Sequence, residues 1–467
     1  MISLKSNSFP SVCKTLCRNK SVAAAVSASP LHPHAETSVT KVSKLQNGVR
    51  VASELTAHET ATINISINAG TRYANGATAL LFERMLLTGT KKRSHEQLEK
   101  KIIELGGRLS THTDRERTVL SAHVHKKDVN AAMQILGEVL QPTGWNSAAL
   151  TAEAQALAEH IRVTRSGFSK SLVFDHLHQT AFMDSDLGNS LVGKDTDVFK
   201  VTLDDLESYH SANITADRVV VAGAGAIDHS ELVQLAEKAL GMLPAAKTSL
   251  DHKPSLFVGS DVRIKNDYIP LAHVAIAFEA FDWTSKHYFP TKLMQVLIGK
   301  WDRCGSAGLN ASSKLAQAVA EQDLARSFAT FNLNYSDTGL FGVYAIADQY
   351  KTNDLMWYVM ESLVRLVHRT TDEEVESAKS QLKANLLLNL DNTSEISDDI
   401  GRQMLAFGKR LSLAETLSQI DAVDAASVRA TADEIINDKE HALSAIGSIH
   451  ELPDYTNLRR RSYWVRY

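Results

Sequence analysis

Residues 61–68 read ATINISIN, and residues 272–279 read AHVAIAFE. In the first stretch Ile63, Ile65 and Ile67 occupy alternate positions, the period of a strand with one apolar face. The second matches it about 210 residues later. Working outward, a pair of strands is expected over 108–125 around Asp114, and a like pair over 327–347 around Asp337. A helix opening at Asp128 has its counterpart opening at Asn353 or Asp354. These further offsets are about 223 and 225 residues, a slowly drifting register that indicates tandem copies of one unit. The fold class that follows is α+β: two tandem related domains of mixed or antiparallel sheet, each covered by helices. The join is expected in 241–257, where Pro, Ser and Lys collect, giving an N-terminal domain of 40–245 and a C-terminal domain of 258–467.

Local signals fill in the first unit. Asn47-Gly48 between alternating apolar residues marks a hairpin over 42–51. Helices are expected at 77–88, 94–105, 128–140 and 202–211, and long helical patterns cover 147–183. Ser94 with Gln97 three residues on has the spacing of a capping box, and Gly106-Gly107 ends that helix. Asp128 is the expected cap of the third helix. A strand over 218–222 and a turn at 223–225 lead into a helix over 228–240, capped by Asp228 and Glu231.

Composition narrows the function classes. The chain has 467 residues, a formal net charge of −4 and no Lys/Arg stripe, which argues against a nucleic-acid binder. No apolar run approaches the length of a membrane span, so any work at a membrane would be through partners that span it. Three cysteines (Cys13, Cys17, Cys304) make no disulfide framework and fit a reducing compartment. Residues 1–35 hold Lys5, Lys14, Arg18 and Lys20, many serines and no acidic residue, the composition of a removable mitochondrial transit peptide.

Several longer stretches carry a resemblance. LIGKWDR (297–303), NASSKLAQ (310–317), SFATFNLNYSDTGLFG (327–342), DDIGRQML (398–405) and the ending LPDYTNLRRRSYWVRY (452–467) resemble the β-type subunits of the mitochondrial processing peptidase. They equally resemble the core protein 1 of the cytochrome bc1 complex, which is similar to those subunits, all within the pitrilysin/insulysin-like metallopeptidase clan. The resemblance spans about residues 40–467. It implies an inverted zinc motif, His-x-x-Glu-His, on the helix of NGATALLFERMLLTGT (75–90). Residues four apart share a helical face, so two imidazoles can hold one Zn²⁺ while the intervening Glu serves as general base for the metal-bound water. Aligned on Thr78-Ala79 and on Met85, Gly89 and Thr90, the motif here reads Leu80-Leu81-Phe82-Glu83-Arg84. Leu80 has no lone pair to offer, and the permanent charge of Arg84 repels a cation. Only Glu83 survives. The family spacing to the distal ligand falls on Ile161, with Glu153 and Glu159 nearby and Glu159 recoverable by a slip of one or two residues. Arg84 either occupies the volume of the metal and neutralises Glu153 or Glu159, or points to solvent; the sequence leaves both open.

Other candidates are weaker. His123 and His125 share a strand face without a third ligand, and His176 and His178 diverge by about 200° on a helix. The 218–228 turn lacks the third glycine of a dinucleotide motif. The loop 302–312, with only Gly305 and Gly308, differs from the long glycine-rich loop of α-type processing subunits. Cys304 is a lone thiol. Arg459, Arg460, Arg461, Tyr463, Trp464, Arg466 and Tyr467 read as a docking tail.

The expected function is therefore a non-catalytic structural subunit of mitochondrial respiratory complex III, not an enzyme, with no cofactor and no metal. What the resemblance implies for partners is a core protein 2-like chain, cytochrome b, cytochrome c1 and other complex III subunits in a dimeric complex. Such a chain would sit peripherally on the matrix side of the mitochondrial inner membrane. The alternatives are a β-type processing peptidase subunit or a presequence-binding pseudo-peptidase of the matrix.

Overall fold

The computed structural model describes residues 39–463, apart from 75–76, 142–143, 167–169, 192, 246–252 and 306. The transit segment 1–35, part of the expected join and Trp464, Arg466 and Tyr467 lie outside the described residues.

Strands β1 (Lys41–Lys44), β2 (Arg50–Leu55), β3 (Thr60–Ile67), β4 (Arg108–Thr113), β5 (Thr118–His125) and β6 (Val219–Gly225) form one sheet in the order β1-β2-β6-β3-β5-β4. Strands β7 (Asp261–Lys265), β8 (Leu271–Ala280), β9 (Lys300–Asp302), β10 (Ser327–Asn334), β11 (Gly339–Asp348) and β12 (Ala442–Gly447) form the second, in the order β7-β12-β8-β11-β10-β9. Each sheet has a single parallel pair, β2 with β6 and β7 with β12, and is otherwise antiparallel. Five strands correspond one to one: β2, β6, β3, β5 and β4 with β7, β12, β8, β11 and β10. The α+β architecture of two mixed sheets covered by helices is the one expected.

The hairpin at Asn47-Gly48 forms because Gly48 accepts φ +108°, a left-handed region that costs a glycine little. The Ser94 hydroxyl accepts from the Gln97 N–H, and Gln97 returns the bond to the Ser94 N–H. The caps expected from Asp128 and Asp228 do not form. Instead the His125 ring accepts from the Lys127 N–H, and Asp228 takes the hydroxyl of Ser230. Past residue 368 come five helices (Asp372–Asn389, Thr393–Ala406, Leu413–Asp421, Ala425–Ile436, Tyr455–Arg460) and strand β12, none of them expected from the sequence.

The alternation in β3 predicts one wet face, yet Thr62, Asn64 and Ser66 are as buried as the isoleucines. The cause lies 330 residues away. Helix Thr393–Ala406 lies across β3 and β6: Thr393 bonds to Thr62, and Ser397 donates to the Ala222 carbonyl. A Cβ on Gly401 would run into Ser66. Ile396, Ile400 and Met404 close over Ala222 and Ala224, each such burial contributing about 1.5–3 kcal/mol. The exchange is reciprocal. Helix Lys170–Ala181 sets Leu172, Val173, Leu177 and Ala181 against Ala275, Ala277, Ala442 and Ile446 of the second sheet. Each unit thus lends one helix to the other's sheet.

Candidate functional site

The helix Thr78–Leu86 carries the motif positions. Its buried side is held by Phe82, whose ring meets Tyr209 at 5.0 Å and Trp145 at 5.8 Å, while the Trp145 indole donates to the Met85 carbonyl at 3.2 Å. Aromatic edge contacts of this kind stabilise by about 0.5–1.5 kcal/mol beyond burial. The helix is therefore rotationally locked, and the partly exposed side presents Leu80, Glu83 and Arg84.

The structure decides where Arg84 points. Its Nη1 lies 3.6 Å from Oε2 of Glu153 on the helix Ser147–Ser166. Glu159 is not part of this pair; it is bound by Arg162 at 2.8 Å and is exposed. Ile161, where the family spacing pointed, is buried in the apolar core. Arg84 and Glu153 are each about one-third exposed, so the pair is worth no more than about 1 kcal/mol. Leu80 packs on the core of the first unit.

This donor set does not fit zinc. Leu80 cannot ligate, and Arg84 puts a cation where the second imidazole would stand, already facing Glu153. Among the described residues no three His, Cys, Asp or Glu side chains come together in a way that could hold a metal.

A charged chain that the sequence reading overlooked runs beside the helix. His112, on edge strand β4, bonds Asp114 Oδ1 at 3.0 Å; Arg117 Nε reaches Asp114 Oδ2 at 3.1 Å. Arg117 then grips Asp398 at 2.8 Å, and Arg402 holds Asp398 from its other side at 2.8 Å. The Asp114 bond raises the His112 imidazole above its ordinary value, and Glu83 adds to the effect against the opposing cost of burial. Burial pushes Asp114 upward, but His112 and Arg117 outweigh it and hold the carboxyl below the usual range. Asp398 behaves likewise, with Arg117 and Arg402 overcoming burial. The signal available in sequence was His112 two residues before Asp114, at the end of a strand entering the expected turn. Chemically the arrangement offers a carboxylate, Glu83, near an imidazole biased toward its protonated form, beside an unpaired strand edge.

The remaining histidines are not brought together. His123 bonds the Thr62 hydroxyl, His125 caps a turn, and His178 is buried between the Phe174 carbonyl and the Tyr335 hydroxyl. Cys304 is exposed. Arg459 is tied to Asp438 and Glu440 of its own unit, so this part of the expected docking tail is committed within the chain. No helix among the described residues is long and apolar enough to cross a membrane.

A cleft of about 670 Å³ separates the β4–β5 turn and helix Lys170–Ala181 from β10. On its wall both the oxygen and the nitrogen of the Asn332 carboxamide are buried without a hydrogen-bond partner.

The chain matches two family descriptions in sequence: "Insulinase (Peptidase family M16)" over residues 50–195 and "Peptidase M16 inactive domain" over residues 200–382. It is 39% identical to the probable mitochondrial-processing peptidase subunit beta of Arabidopsis thaliana, over 92% of this chain and 82% of that one. With the mitochondrial-processing peptidase subunit beta of Blastocladiella emersonii it shares 40% identity over 95% and 96%. The mouse subunit of the same name is 37% identical over 91% of this chain and 88% of its own length. Among solved structures, a chain of "Complex III2 from Candida albicans, Inz-5 bound" superposes with a TM-score of 0.81 at 26% identity, covering 91% of this chain and all of that one.

These findings correct the expectation that the chain is not an enzyme. That expectation extended two missing donors on one helix to the whole molecule, whereas its relatives carry the name of a peptidase subunit over nine-tenths of its length, which points to an enzyme. The relatives named above are processing-peptidase β subunits rather than core protein 1. With both halves matched and the identity spread end to end, the chain belongs to peptidase family M16.

Proposed function

We propose that this chain is a β-type subunit of a mitochondrial presequence-processing peptidase, working in the matrix alongside an α-type partner. The observation that carries the reading is the 36–40% identity to subunits of that name, over both halves of the chain. In this role the chain's own residues hold and orient the peptide. Asn332 offers an unpartnered donor and acceptor to a peptide bond, a pairing a carboxamide makes in two-point fashion. The carboxylates of that cleft are committed within the chain, Asp114 to Arg117, Glu116 to Arg72 and Asp175 to Arg115, so the peptide is held by its backbone rather than by its basic side chains. Because the residues at 80 and 84 do not fit zinc, no step is assigned to a metal on this helix. The test pairs the full chain with an α-type subunit and titrates a labelled presequence peptide. Saturable binding and release of a shortened product are expected, with the dissociation constant about tenfold weaker in Asn332→Ala. An assembled pair that neither binds nor shortens the peptide rejects the reading.

A second reading is favoured by the structural likeness to a complex III chain: a core subunit supporting the assembly of that complex beside cytochrome b and cytochrome c1. Native-gel fractionation of mitochondrial membranes separates the two. Co-migration with haem supports the core role, and a soluble two-chain pool supports the peptidase.

A further inference from the structure

A second cavity, of about 700 Å³, opens between helices Tyr288–Ile298, Asp372–Asn389 and Thr393–Ala406 of the C-terminal half. Its apolar wall includes Phe289, Leu382, Leu386 and Phe407. Size and lining are those of a small-molecule site, in which a few polar groups orient an otherwise apolar ligand.

The polar groups are unevenly matched. Of the charged residues that line the cavity, Arg410 is paired with Glu54 and with Asp399 at 3.5 Å. Arg402 is held by Asp398 at 2.8 Å, and Gln403 donates to both oxygens of Asp399. Glu395 and Lys300 are exposed. Lys292, one turn into its helix and partly buried, has no carboxylate or hydrogen-bond partner among the described residues. Its ammonium lies 5.5 Å over the Tyr288 ring. Burial, with Arg402 nearby, pulls this lysine down to about 8. A partly buried ammonium without an anion is still costly, and a fold does not gain stability by keeping one. Trp283, Lys292 and Arg402 also line the cleft that contains Asn332, so the ammonium stands on a wall reached from two sides.

The geometry points to a binding site for an amphipathic small-molecule carboxylate, its head on Lys292 and its alkyl chain along Phe289, Leu382 and Leu386. Charge selects the ligand class. A neutral lipid would leave the ammonium unpaired, and a carboxylate satisfies it. The inference is independent of the peptide-holding role, which uses other residues.

The test is calorimetric titration of the full-length chain with decanoate and with decanol, in the wild type and in Lys292→Met. The wild type is expected to bind decanoate at one site, at least about tenfold more tightly than decanol. Lys292→Met is expected to lose that preference while still binding decanol. Equal affinities of the wild type for acid and alcohol, no decanoate binding, or unchanged decanoate binding in Lys292→Met would each overturn the assignment. The comparison of acid with alcohol in the wild type decides the matter even if the variant fails to fold.

Discussion

Arg72 and Asp337 meet as a two-pronged fork between the two halves of the chain, with Nη1–Oδ1 at 3.0 Å and Nη2–Oδ2 at 2.7 Å. Arg72 is buried, Glu116 takes its Nη1 as well at 2.6 Å, and the backbone N–H of Ser255 holds Asp337 in place. Asp337 and Glu116 lie in the equivalent turns β10–β11 and β4–β5 of the two repeats, and Arg72, in the short turn after β3, grips both. Removing one partner leaves a desolvated charge behind. Arg72→Ala is expected to cost about 2–4 kcal/mol, and Arg72→Lys less but still measurably, since an ammonium cannot make the fork. Urea midpoints at constant slope measure both; a shift in Arg72→Ala indistinguishable from wild type contradicts the role assigned here.

The Arg84–Glu153 pair predicts the opposite scale. Being one-third exposed, it should yield less than about 1 kcal/mol on Arg84→Ala. The same geometry makes a metal site recoverable, because Glu153 already reaches position 84. The double variant Leu80→His, Arg84→His is expected to bind one zinc per chain in a chelator competition. Adding Glu153→Ala should weaken that binding about tenfold or more. A folded double variant that takes up no zinc would show that Glu153 is not in reach.

Acid should unfold the C-terminal half through His441. Its ring is buried with neither nitrogen bonded, stacked 4.3 Å from Tyr455, and burial draws it from 6.5 down to about 4. The unfolded chain binds a proton at this position below pH 6.5 that the folded chain refuses until about pH 4. The stability it contributes is thus whole above pH 6.5 and falls as the pH drops through that window, by up to about 3 kcal/mol. His178, buried and likewise lowered, acts in the same direction. Denaturation curves between pH 4 and 7 should show the loss, and His441→Phe should flatten it; an unchanged slope in that variant rejects the assignment.

Lys292 predicts a pH effect of its own. Its folded value of about 8 against an ordinary 10.5 means the charged form is penalised in the folded chain. Below pH 8 both states are protonated and the full cost is present; between 8 and 10.5 the unfolded chain holds the extra proton, so folding becomes more favourable as pH rises. Lys292→Met should therefore be more stable than wild type at pH 7 by about 1–2 kcal/mol. The difference should fade toward pH 10.5 in paired denaturation series. A variant less stable at pH 7 would mean the ammonium has a partner.

Much was legible from residues alone, because the features concerned are set by near neighbours. The alternation of Ile63, Ile65 and Ile67, the Asn47-Gly48 turn and the Ser94–Gln97 box need only a few adjacent residues to act, and all three form. That Leu80 and Arg84 cannot ligate zinc is a property of their atoms. Tertiary structure decided the rest. Thr62, Asn64 and Ser66 read as a wet face, and only the arrival of helix Thr393–Ala406 buries them. The choice of Glu153 over Glu159 for Arg84 depended on how two helices rotate against each other, which the turn-by-turn spacing of the second helix could not convey. The cavity around Lys292 exists because helix Tyr288–Ile298 does not close on the distant helix pair Asp372–Asn389 and Thr393–Ala406. The physical reason is the same each time: local pattern specifies which elements form, whereas burial and pairing depend on which distant surface arrives to cover them.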